Sequence, residues 1–143
     1  MNESATGESV AAIRDLESEL WMVQAVIQPF KIDAVLLALE ETPGISGLTV
    51  IECRGFGGQK LLDSDRGHGN EAGDDTPDTS QVVDFTSKLL LETVVAGRLR
   101  ADDVISAIVT SAHTGRHGDG KVFAWPLARA ISIRTREEQA KAL

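Results

Sequence analysis

An α+β chain of the ferredoxin-like βαββαβ type is what this sequence predicts, on three observations. Two stretches with helical period each lie between apolar, β-branched runs. A long aperiodic acidic stretch separates the two strand–helix–strand units so formed. The 143 residues, 42% of them apolar, supply one core and not two.

Residues 1–19 are polar with sparse apolar positions and read as an N-terminal extension. Val10, Ile13, Leu16 and Leu20 fall at helical spacing there. Leu20 to Ile27 is an apolar run ended by Gln28-Pro29, a first strand. Ile32, Val35, Leu36 and Leu39 repeat at i, i+3, i+4, i+7, an amphipathic helix that Thr42-Pro43-Gly44 stops. Leu48 to Arg54 is a second, β-branched strand.

Leu61 to Ser80 has no period. It holds six acidic residues against one arginine, a net charge of −5. Such a stretch repels itself and lacks apolar anchors, which predicts a mobile functional loop. Asp63, Asp65 and Asp74 suggest a calcium loop, but His68 stands where that loop needs glycine, so a solvated loop is the better reading. Val82 to Phe85 and Lys88 to Val95 read as one long strand or two with a bend. Asp102 or Asp103 is placed to cap a second helix, with Val104, Ile105, Ile108, Val109 and Ala112 as its stripe. Val122 to Leu127, with an edge-compatible Pro126, and Ala130 to Ile133 complete the strands of a mixed antiparallel sheet.

Composition excludes several classes. A net charge of −8 disfavours nucleic acid as a partner. No apolar run approaches the length of a membrane span, and Met1-Asn2-Glu3-Ser4 opens no secretory signal. A single cysteine, Cys53, gives no disulfide framework and no cysteine-based zinc site. These features predict a cytoplasmic protein without direct membrane insertion.

The chemistry concentrates in Thr114-Gly115-Arg116-His117-Gly118-Asp119-Gly120-Lys121. Three glycines in a short turn let backbone N–H groups form a concave anion nest, and Lys121 and Arg116 add positive charge beside it. A plain helix-to-strand turn is the bland alternative. Gly55-Phe56-Gly57-Gly58-Gln59-Lys60 is a second glycine cluster. It is neither a Walker loop nor a dinucleotide fingerprint, since no Gly-Lys-Ser/Thr and no helix follow. His113 and His117 lie i, i+4 apart but lack a third ligand, and read as a solvent-facing pair. Neither paired carboxylates nor a Ser-His-Asp pattern supports an enzyme, so a small nucleotide-hydrolysing enzyme is only an alternative.

Taken together, Gln28-Pro29-Phe30-Lys31, Gly47-Leu48-Thr49-Val50, Gly55-Phe56-Gly57 with Gln59-Lys60, Val83-Asp84-Phe85, Thr114-Gly115, Gly118 through Phe123, and Ile133-Arg134-Thr135 resemble the PII signal-transduction family from about Trp21 to Glu137. The resemblance implies a homotrimer, with residues 20–136 as the domain, 55–82 as the long T-loop and 137–143 as a tail. It implies adenine-nucleotide binding (ADP, AMP or ATP, the last with magnesium) in clefts between subunits. It also implies a target protein, a transporter or an enzyme, reached through residues 61–80. Thr49, Glu92 and Val94 match positions around the adenine. Gly55, Phe56, Gly57 and Gly118-Asp119-Gly120-Lys121 match the backbone that cradles the nucleotide. Lys121 and Arg134 match phosphate-contacting cations, and Gln59 and Lys88 match magnesium and 2-oxoglutarate positions.

The chain departs from the family pattern in places. Gly58 and Ser132 stand where arginines are usual, and Gln28 where a lysine is usual. The loop is longer than usual and has no tyrosine, so uridylylation of tyrosine is not expected. This marks a divergent, PII-like member. A regulator of inorganic-carbon metabolism, sensing ADP or AMP with bicarbonate, is the alternative to a nitrogen sensor of ATP and 2-oxoglutarate.

Overall fold

The structure, a computed structural model, describes residues 19–56 and 85–143. The expectations placed on residues 1–18 and on Gly57 to Asp84, the long loop included, lie outside the described residues.

Four strands form one sheet: β1 (Leu20–Ile27), β2 (Thr49–Gly55), β3 (Thr86–Ala96) and β4 (Gly120–Leu127). Two helices, α1 (Ile32–Glu40) and α2 (Arg98–Ala112), connect them in the order β1-α1-β2-β3-α2-β4. The spatial order is β2-β3-β1-β4, with β1 and β3 central. Every pairing is antiparallel, as the ferredoxin-like arrangement expects. The two hydrophobic runs with the fewest breakers occupy the centre, and Pro126, which has no N–H to donate, lies on the edge strand β4.

Strand alternation sorts the residues onto two faces. Val23, Ala25 and Ile27 of β1 and Leu91 and Val95 of β3 pack against Val35 and Leu39 of α1 and Ala101, Val104, Ile108 and Ala112 of α2. That cluster is the core. Its helix positions keep the i, i+3, i+4 spacing, but the stripes are turned from those expected. Leu36 and Val109 are exposed, while Ala101 enters the core because a small side chain lets α2 approach the sheet.

Leu20 is the buried first residue of β1, as the strand reading of Leu20 to Ile27 expects. Two further expectations change. Asp102 and Asp103 lie within α2 and do not cap it. The helix starts at Arg98, after Gly97 at φ +91°, whose N–H donates to the Glu19 carbonyl at 2.8 Å. Ala130 to Ile133 adds no strand to the sheet. There the chain folds back on itself through a single bridge, Ile131 to Glu138, supported by Gln139 N–H donating to the Ala130 carbonyl at 2.9 Å. Beyond β4 the two central strands are already paired on both sides, so no central edge is left for a fifth partner.

The other face of the sheet carries no helix. Pairing places Thr49, Ile51 and Cys53 of β2, Lys88, Leu90, Glu92 and Val94 of β3, Met22, Gln24 and Val26 of β1, and Lys121, Phe123 and Trp125 of β4 on it. Phe123 is 47% and Trp125 40% exposed, so apolar surface there meets water in the single chain.

Candidate functional site

Two groups of residues stand on the open face. Thr49 and Glu92 are directly paired across β2 and β3, and with Val94 they line a cleft of about 250 Å³. Met22, Ser46, Gly47, Thr93 and Leu143 complete its walls. Gln24 Nε2 donates to Glu92 Oε1 at 2.8 Å, fixing one carboxylate oxygen. Thr93, on the opposite side of the strand, donates its hydroxyl to the Gly47 carbonyl at 2.7 Å and so anchors the segment leading into β2. The three residues expected around a base are thus brought together.

The second group is the glycine turn. Gly115, Gly118 and Gly120 have φ of +78°, +93° and +100°. Gly120 is obligatory: a Cβ there would stand 1.7 Å from the Val26 carbonyl oxygen. That close approach lets β4 enter the sheet directly from the turn, opposite Ile27.

The turn holds an anion of its own, which corrects the expectation of an open nest. The Asp119 carboxylate accepts the N–H of Thr114 at 2.8 Å and of Gly115 at 2.9 Å, and the Thr114 hydroxyl also donates to it. These N–H groups are therefore committed within the chain. The Thr114 hydroxyl, then the Thr114 N–H, hold the Asp119 pKa below its ordinary value, with Gly115 and nearby His113 adding to the effect. His113 Nδ1 lies 3.7 Å from Asp119, but its side chain is 71% exposed, and His117 is exposed as well. The signal for this arrangement was present in the sequence as an aspartate just beyond a Thr-Gly pair, a residue type that bonds its own local backbone.

Lys88 joins the turn to the sheet. It is 9% exposed, and its Nζ donates to the Gly118 carbonyl at 2.5 Å. Gln28 Nε2 donates to the same oxygen at 2.8 Å. Gln28, read in the sequence only as a replaced lysine, is thus part of the site. Lys88 also borders a cleft of about 380 Å³ with Pro29, Cys53, Arg54 and Ser87.

The remaining expected residues are placed as follows. Gly55 ends β2, and its carbonyl accepts the Thr86 hydroxyl at 3.0 Å. Phe56 packs edge-to-face on Phe85, ring centres 5.2 Å apart, so the two residues bounding the long loop meet. Gly57, Gly58 and Gln59 lie outside the described residues. Lys121 is exposed at the start of β4, next to the turn. Arg134 is exposed in the folded-back segment and forms no hydrogen bond or ion pair with the turn among the described residues. No group of three His, Cys, Asp or Glu residues among the described ones is arranged to hold a metal ion. None of the described helices is long and apolar enough to cross a membrane.

The family model of nitrogen regulatory protein P-II matches residues 20–137. The chain belongs to the P-II family. A nitrogen regulatory protein P-II of Haemophilus influenzae is 43% identical over 122 residues, which cover 85% of this chain and 97% of the relative. The P-II protein of Azospirillum brasilense is 41% identical over the same shares. Among solved structures, Arabidopsis thaliana PII bound to citrate is 30% identical with a TM-score of 0.65, covering 87% of this chain and 92% of that one. A Bacillus subtilis GlnK–ATP complex, 23% identical, shares the fold with a TM-score of 0.66 over 88% of this chain and 99% of that one. The family and its members are named as regulatory proteins, signalling proteins and not enzymes, and the ferredoxin-like α+β fold is theirs. The hydrolase alternative is set aside.

Proposed function

We propose that this P-II protein is a homotrimeric regulator that binds an adenine nucleotide in clefts between subunits and switches a target protein through residues 61–80. The observation that carries this reading is the arrangement along β3. Glu92 marks the base cleft and Lys88 marks the glycine turn, on one face and four residues apart. At the rise of a strand that is roughly 13 Å, the scale of an extended nucleotide. The uncovered face supports the trimer: Phe123, Trp125 and Ile51 remain exposed until another copy covers them. The Bacillus GlnK complex with ATP and the Arabidopsis protein with citrate show relatives holding a nucleotide and a small carboxylate.

Gly55 and Phe56 with Gly57, and Gly118 to Lys121, are the backbone that cradles the ligand; Lys121 and Arg134 are its phosphate cations. Gln59 and Lys88 are the positions for magnesium, when ATP is bound, and for 2-oxoglutarate. With Gly58 and Ser132 in place of cations, the outer phosphates lose two charged contacts of about 1.5–3 kcal/mol each, less where water reaches them. ADP or AMP is therefore expected to bind at least as well as ATP, and 2-oxoglutarate weakly.

Calorimetry with ATP, ADP, AMP and cyclic AMP, each with and without magnesium, 2-oxoglutarate or bicarbonate, tests the reading. Binding of ADP or AMP is expected. Magnesium-ATP held about tenfold more tightly than ADP, a difference of about 1.4 kcal/mol, and strengthened by 2-oxoglutarate would overturn the selectivity. No binding of any adenine nucleotide would overturn the function. A response to bicarbonate alone would favour the inorganic-carbon role.

A further inference from the structure

The Gly118 carbonyl takes two donors of different kinds. One is the ammonium of a nearly buried lysine; the other is a neutral carboxamide from the end of β1. Space at the turn is matched to them. A Cβ on Gly118 would meet Gln28 Nε2 at 3.1 Å and Lys88 Nζ at 3.4 Å. Both donors therefore lie under the turn, on the sheet side, and draw the carbonyl inward.

A trans peptide is planar, with its C=O and N–H pointing opposite ways. No peptide bond among the described residues is cis. Pulling the Gly118 oxygen toward the sheet thus turns the Asp119 N–H outward, to the exposed side of the turn. Among the described residues that N–H has no acceptor. It is a backbone donor without an intrachain acceptor, beside Lys121, while the Asp119 side chain is committed to Thr114 and Gly115.

The two donors differ in how they respond to a ligand. An ammonium has three N–H groups and a full charge, so an anion arriving at the Lys88 cleft competes for it. A carboxamide is neutral, so an anion competes for it more weakly. We propose that Gln28 is a positioning residue for phosphate. It keeps the Gly118–Asp119 peptide turned with its N–H outward, including when an anion draws Lys88 away. The proposal rests on the nucleotide reading for the identity of the phosphate, but not for the hold on the peptide.

A double-variant cycle tests it. Gln28→Leu and Lys88→Met each remove one donor with little change in volume. Each alone is expected to weaken ADP binding about threefold, because the other donor still holds the carbonyl. Together they are expected to weaken it about fiftyfold, beyond the roughly ninefold product of independent effects. Nitrogen-15 relaxation of the ligand-free protein gives the second measurement. Order parameters of the Gly118, Asp119 and Gly120 amides are expected to stay near 0.85 in each single variant and to fall below about 0.6 in the double one. Gln28→Lys, which keeps a donor, is expected to leave them rigid. Circular dichroism and light scattering on each variant confirm fold and assembly. A double variant whose turn stays rigid, or whose affinity loss is only the product of the singles, overturns the proposal. If the unaltered protein binds no adenine nucleotide, the functional reading fails, and the relaxation data alone decide whether Gln28 and Lys88 hold this peptide.

Discussion

Leu90 and Leu91 are neighbours on β3 and face opposite ways. Leu91 is 1% exposed among Val23, Val35 and Ile108, under the helices. Leu90 stands on the open face, paired across to Val26 and Ile51, of which Ile51 is 42% exposed. The same side chain serves two purposes one residue apart. On the helix side it is cohesion within the subunit. On the open side it is surface held in reserve, next to the cleft and the turn. In the proposed trimer, the apolar second face of the sheet places the candidate cleft and turn where another copy can complete them.

The sharpest way to break this comparison is to truncate both leucines. Leu91→Ala is expected to lower the unfolding free energy by about 2–5 kcal/mol, the range for a buried leucine replaced in a close-packed core. Leu90→Ala is expected to cost the isolated subunit less than half as much and to show instead as a concentration-dependent melting temperature, since in the proposed trimer the contact it loses is with another chain. Denaturant unfolding of both variants at two protein concentrations checks this. Equal losses that ignore concentration would mean the open face is not an interface.

A charge on the open face sharpens it further. Phe123, 47% exposed and paired opposite Gln24, gains nothing from the helices. Phe123→Asp is expected to leave the far-ultraviolet circular dichroism unchanged, because exposed substitutions usually stay within about 0.5 kcal/mol. The same change buries an unpaired carboxylate if copies meet there, so light scattering should shift from trimer toward monomer. A variant trimer as stable as the parent would place the interface elsewhere.

Much of this was legible in the sequence. The runs Leu20 to Ile27 and Lys88 to Val95 are apolar nearly throughout instead of alternating, the mark of strands covered on both sides. The grouping of Thr49, Glu92 and Val94 was implied by the family resemblance, and the glycine turn at Gly118 to Lys121 was read from its own residues, whereas the direct pairing of Thr49 with Glu92 came only with the structure. The start of α2 was not legible, because aspartates at 102 and 103 look like caps whether or not a glycine ahead of them turns the chain first. Nor was the role of Gln28. Its partner is the Gly118 carbonyl, 90 residues away, and a backbone oxygen leaves no trace in the side-chain pattern. The folded-back segment at 130–139 was misread for a related reason. Ala130 to Ile133 has strand composition, but whether a strand pairs depends on a free edge, which only the assembled sheet defines.

The smallest expected effect lies in the turn, which differs from both faces in being held by polar contacts alone. The Asp119 carboxylate is the acceptor for Thr114 and Gly115, and those bonds place its pKa below the ordinary 3.8. Because the folded pKa is the lower one, the ionised form is favoured by folding. Its contribution is fully present above pH 3.8 and disappears as pH falls through the depressed folded value. From about pH 5 to about pH 8 it is constant, so neutral conditions cannot reveal it. Asp119→Asn removes the titration, and its amide group supplies one acceptor oxygen where the carboxylate supplied two. The amide resonances of Thr114 and Gly115, followed by nuclear magnetic resonance from neutral to acid pH, should move in the parent protein only below pH 3.8. In the variant they should start displaced and show no such transition, while the core methyl resonances of Leu91 and Ile108 stay where they were. Identical acid transitions in parent and variant would mean that the carboxylate does not hold the turn, and its geometry would then depend on Gln28 and Lys88 alone.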